Sequence, residues 1–175
     1  FFSRTFYAHQ YDDLEEIEFI IGKIILKLEE WEFIKTKSLN NSSDFISADE
    51  IAETGIEPTK LGIRVSQLYI DPLTANFIIV CMRRATQVLV NEFSFLHMAS
   101  NTIELKPYFK VRTKEIPDIE EQLNGFSGEL IVLEPSVYEP EYDDFLNATK
   151  TAIVLNDWLD EKDEEYILEK YNVRP

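Results

Sequence analysis

The dipeptide Asp71-Pro72 constrains this chain more than any other feature, because it stops one helix and starts the next with almost no linker. An aspartate at a helix N-cap can accept from the free N–H groups of the first turn, and a following proline, with fixed φ and no N–H, suits the first helical position. Upstream, Thr59 follows Pro58 and precedes Leu61, Val65, Leu68 and Tyr69, which predicts a threonine-capped helix running to about Ile70 with those residues on its apolar side. Gly62 falls in the first turn of that helix, where glycine costs about 1 kcal/mol relative to alanine. Its presence implies that another backbone passes close by. Downstream, Phe77, Val80, Cys81 and Arg84 recur at helical spacing. The stretch from Ile56 to Arg84 therefore reads as a junction built on Thr59, Gly62, Asp71 and Pro72, dividing the chain into domains at 1–71 and 72–175.

A chain of 175 residues with 45% apolar and 13% aromatic content can bury one good core or two small ones. The one cysteine, Cys81, excludes an intramolecular disulfide and a cysteine metal site, and its place on the apolar side of a helix predicts a buried thiol. No apolar run approaches the ~20 residues of a membrane span. The opening FFSRTFYAH also lacks the order of a signal peptide. A soluble, cytoplasmic protein with no membrane partner is the expectation. The net charge of −16 repels phosphate backbones unless positive charge is concentrated somewhere.

Phe1, Phe2, Phe6 and Tyr7 recur as one helical face without an initiating methionine, which suggests a fragment. Leu14, Ile17, Ile21, Ile24, Leu28 and Trp31, widened by Ile20 and Ile25, predict a helix capped by Asp12 or Asp13. From Phe33 the pattern becomes a short strand, a polar loop with its tip at Asn40 to Ser43, and a returning strand before Thr59. Helices followed by a two-stranded wing and a further helix are the outline of a winged helix lacking its first helix. Beyond Pro72, helices are predicted over Val88–Met98, Ile116–Leu123, a segment from Phe145 to Leu159, and Asp163–Tyr171, with Leu130–Leu133 lying against the core. The expected fold class is mainly α: a truncated winged helix, then a partial helical bundle.

No glycine-rich phosphate loop, nucleophile elbow or calcium loop is present, and His9 and His97 have no second ligand at metal spacing. The expectation is no catalytic residue, no metal and no cofactor in this stretch. One segment invites a functional reading. Lys106, Lys110, Arg112 and Lys114 bracket Tyr108 and Phe109, and cations interleaved with aromatics are the ingredients of single-strand contact. The competing reading is a surface connector whose aromatics plug the core.

The run from Pro58 through Lys60, Gly62 and Tyr69 to Pro72 resembles the end of the winged-helix domain in archaeal Hjm-type (Ski-like, superfamily-two) DNA helicases. Phe145-Leu146, Lys150 to Ala152, Asp157 to Glu161 and Glu169 to Pro175 resemble later helices of the ratchet domain that follows it there, and FFSRTF and Trp31 to Ile34 fit the same register. The resemblance implies a non-catalytic fragment whose partners are the motor domains of the same parent protein, which would bind ATP and Mg. It implies that the helical part helps to enclose DNA and that the long DNA-contacting helix would follow Pro175. The segment from Leu39 to Gly55 is longer than the family's compact wing. Acidic residues Glu15, Glu16, Glu18, Glu29, Glu30 and Glu32 outnumber Lys23 and Lys27, so a protein partner suits the first helix better than DNA. The alternative is a free-standing winged-helix adaptor or regulator.

Overall fold

The computed structural model describes residues 14–36, 55–106, 108–126 and 128–171. The expectations for Phe1 to Tyr7, His9, the Asp12/Asp13 cap, the loop tip at Asn40–Ser43 and Val173 to Pro175 fall outside them. The fold is mainly α, with seven α-helices and one two-stranded antiparallel sheet among the described residues. The chain divides into two compact units, 1–75 and 76–175.

In the first unit the described residues begin with α1 (Leu14–Glu30). Ile17 is buried, and Ile21, Ile25 and Leu28 follow it on the half-buried side, whereas Ile20 and Ile24 face water, which narrows the expected stripe. The helix ends in a Schellman motif: Phe33 N–H donates to the Leu28 carbonyl, Glu32 N–H to that of Glu29, and Glu32 takes φ 60°. That left-handed residue turns the chain into β1 (Ile34–Thr36), which pairs with β2 (Ile56–Pro58) in the register Ile34↔Pro58 and Thr36↔Ile56. Helix, two-stranded wing and helix reproduce the truncated winged-helix outline.

Thr59 closes this unit on itself. Its hydroxyl donates to the Glu32 carbonyl at 2.6 Å and accepts from Gly62 N–H at 3.0 Å, capping α2 (Lys60–Gln67). A Cβ on Gly62 would stand 1.9 Å from the Phe33 carbonyl oxygen, so the backbone that passes this glycine is the chain leaving α1. The predicted apolar side of α2 is not a buried stripe: Val65 is buried, but Leu61, Leu68 and Tyr69 are exposed. The helix also stops at Gln67, with Tyr69 at φ 55°. Asp71 then caps α3 (Pro72–Ala85), its carboxylate accepting from Leu73 N–H at 2.8 Å.

The second unit is a helical bundle centred on α6. Its helices are the remainder of α3, α4 (Glu92–Ser100), α5 (Ile116–Gly125), α6 (Glu141–Leu159) and α7 (Glu164–Tyr171). The helix expected over Val88–Met98 begins later. Asn91 and Ser94 form a reciprocal capping box that starts it at Glu92. Helix α6 packs against α4, α5 and α7 and is buried from Ala148 to Val154, on every side of two helical turns. Phe145, Leu146, Ala152 and Ile153 join Cys81, Phe93, Ile119, Leu123 and Tyr171 in one core. Ile131 and Val132 lie against it as expected, but Leu133 is exposed. Phe93 and Phe126 stack at 4.0 Å within the same core.

Candidate nucleic-acid interface

Between α4 and α5 lie a short 3-10 turn (Ile103–Leu105) and a second one (Thr113–Glu115), with the described residues 108–112 between them not helical. This connector holds the basic and aromatic residues singled out above. Its alternation follows from extended geometry, in which successive side chains point to opposite faces. Phe109 and Val111 pack against the core, while Lys110 and Arg112 are exposed, and Lys114 is exposed beyond them. The same segment thus plugs the core with one face, as the connector reading expects, and presents cations on the other.

Three side chains of α6 hold the connector by its main chain. Phe109 N–H donates to Thr151 Oγ1 at 3.0 Å, Val111 N–H donates to Asn147 Oδ1 at 2.7 Å, and Lys150 Nζ donates to the Lys110 carbonyl at 3.0 Å. Residues 147, 150 and 151 fall on one face because three- and four-residue steps bring helical side chains together. Lys150 also pairs with Glu115 Oε2 at 2.9 Å and is itself buried. Glu115 in turn accepts from Arg112 N–H at 2.8 Å, which fixes the end of the connector. Burial pushes the Glu115 carboxyl up, but the Arg112 N–H and the Lys150 ammonium outweigh it and hold the group below its ordinary value.

The first cation of the connector has a different setting. Lys106 Nζ lies 3.0 Å from Asp144 Oδ2 and 5.3 Å from the centre of the Tyr108 ring, and both partners of the ion pair are about half exposed. The hydrogen bond that Lys106 donates to Asp144 is the main reason its ammonium is held above its ordinary value. Tyr108 is half-buried, with its hydroxyl 3.4 Å from the Thr102 carbonyl, so one part of the ring remains accessible. Asp144 also lines a groove together with Lys110, Val111, Thr113, Asp143 and Asn147.

Lys106, Tyr108, Lys110, Arg112 and Lys114 thus lie along one exposed connector, whereas Thr59, Gly62, Asp71 and Pro72 serve helix starts. Sequence reasoning missed the anchoring residues Asn147, Lys150 and Thr151. A signal was present: Asn147, Lys150 and Thr151 recur at helical spacing inside a segment whose other members are Phe145, Leu146, Ala148, Thr149, Ala152 and Ile153. His97 is a core histidine, fully buried, with Nε2 3.0 Å from Thr149 Oγ1 and its ring edge-on to Phe145. Burial lowers its pKa to about 4. Among the described residues no group of three His, Cys, Asp or Glu side chains could hold a metal ion, and no single helix is long and apolar enough to cross a membrane.

Residues 93–175 match the family described as archaeal helicase, domain 4. Along its whole length the chain is 34% identical to the ATP-dependent DNA helicase Hel308 of Methanocaldococcus jannaschii, 36% to that of Pyrococcus horikoshii and 28% to that of Methanococcus vannielii. It spans 12%, 22% and 25% of those proteins, respectively. Similarity of this extent relates the chain, from end to end, to a segment of the archaeal DNA helicases.

Proposed function

We propose that this chain is a non-catalytic accessory segment of an ATP-dependent DNA helicase acting on branched or forked DNA in the cytoplasm. In this reading residues 1–71, the truncated winged helix, rest on the motor domains of the same parent protein. Residues 72–175 help to enclose the translocating strand, and Lys106, Tyr108, Lys110, Arg112 and Lys114 touch it. ATP and Mg belong to the motor domains. The observation that carries the proposal is the similarity of the whole chain to the Hel308 helicases. The exposed Phe19, Ile20 and Ile24 on α1 support a protein surface rather than DNA as the partner of the first unit. A connector pinned by its main chain, with its cations outward, supports a phosphate contact in the second.

In the parent helicase, changing Lys110 and Arg112 together to glutamate is expected to lower unwinding of a forked duplex several-fold while leaving ATP hydrolysis in the absence of DNA unchanged. Undiminished unwinding would overturn the strand-contact role. The segment alone is expected to bind single-stranded DNA only weakly, at about 10⁻⁴ M or weaker, with an affinity that falls steeply with salt.

A further inference from the structure

Asp144 lines two neighbouring clefts along the basic connector. Its carboxylate bonds Lys106 at 3.0 Å, and it also lines the groove shared with Lys110 and Thr113. It also borders the cleft that holds Lys106 and Tyr108, so one carboxylate separates the first two cations of the connector. Asp143 adds a second negative charge to the same groove. The pair with Lys106 is built to be exchanged. Both side chains are about half exposed, and ion pairs of that kind are weak and screened by salt. Lys150 offers the contrast, since it is buried, bound to two oxygens and held to the connector main chain.

We propose that Asp144 is an internal competitor for the nucleic-acid backbone: it occupies Lys106 when no strand is bound, and Lys106 transfers to a strand phosphate on binding. This rests on the reading of the connector as a single-strand contact and adds the residue that sets its affinity. Displacement of one acidic partner for each strand engaged keeps the contact weak and reversible, which suits a surface over which a strand must move.

The test uses the 175-residue chain and a labelled oligothymidylate, followed by fluorescence anisotropy at several salt concentrations. Asp144→Asn is expected to tighten binding about three- to fivefold and to steepen the dependence of log K on log salt by about 0.7, the value of one further phosphate contact on a single strand. Lys106→Ala should erase that gain in the Asp144→Asn background. If Asp144→Asn leaves affinity unchanged and Lys110→Glu with Arg112→Glu still abolishes binding, the competitor role is overturned and the connector reading stands. If affinity is unchanged in both variants, or neither the unsubstituted chain nor Asp144→Asn binds, both are overturned.

Discussion

Lys150 Nζ stands 2.9 Å from Glu115 Oε2 and 3.0 Å from the Lys110 carbonyl, so a buried ammonium in the middle of α6 ties both the centre and the end of the basic connector to the core. Replacing Lys150 by methionine keeps the apolar stem but leaves the Glu115 carboxylate without its cation. Breaking a buried pair from one side costs about 3–5 kcal/mol, and the partial exposure of Glu115 puts the expected loss near the lower end. Urea unfolding measures it; a loss below about 1 kcal/mol would show that the pair is not what holds the connector. Because the folded pKa of Glu115 is depressed, its contribution is present above the unfolded value and lost as pH falls through the folded one. Lys150→Met should flatten that acid-side loss.

His97 makes a second pH prediction in a different window. Burial lowers its pKa from 6.5 to about 4, so the unfolded chain takes up a proton that the folded chain refuses. Stability is complete above the unfolded value and declines as pH falls from 6.5 towards 4, a contribution of about 3 kcal/mol by linkage. Comparing unfolding at neutral pH and at the bottom of this window, His97→Gln should show a shallower decline than the unsubstituted chain. Parallel curves would mean that His97 is protonated in the fold.

Gly62 tests the first unit. A Cβ there meets the Phe33 carbonyl at 1.9 Å, and the obstacle is backbone that cannot rotate away. Gly62→Ala is expected to destabilise by at least the 1–3 kcal/mol typical of overpacking, roughly, despite the better helix propensity of alanine. Gly125, with open space around its Cβ position, is the control, and Gly125→Ala should be close to neutral. Equal effects at both positions would contradict the close approach.

Asp71 tests the helix start. With its carboxylate 2.8 Å from Leu73 N–H, Asp71→Ala should cost about 0.5–2 kcal/mol, and Asp71→Ser should restore most of it. An unchanged thermal midpoint in the alanine variant would remove Asp71 from the capping role.

Much of this fold could be read from the chain because its signals are local. Thr59 before Gly62, Asp71 before Pro72 and the isoleucine stripe of α1 each act within one or two helical turns, where spacing alone decides which groups meet. Helix ends were harder. Glu32 and Glu161 take the left-handed positions that close α1 and α6, and Tyr69 does so after α2, so the glycine that usually marks such an end is missing. The start of α4 at Glu92 was obscured by apolar Val88, Leu89 and Val90, which continue a helical pattern through what is a turn.

The residues of the candidate interface were legible as a composition, cations interleaved with aromatics, but composition could not say which would face the core. That was settled by α6, forty residues further along, whose Asn147, Lys150 and Thr151 bind the connector main chain and so turn Phe109 and Val111 inward and Lys110 and Arg112 outward. The same long-range packing brought Asp144 to Lys106. Local order follows from short-range hydrogen bonding and side-chain periodicity, which a sequence carries explicitly. The pairing of a connector with a distant helix depends on burial of a shared core, and only the tertiary structure decides it.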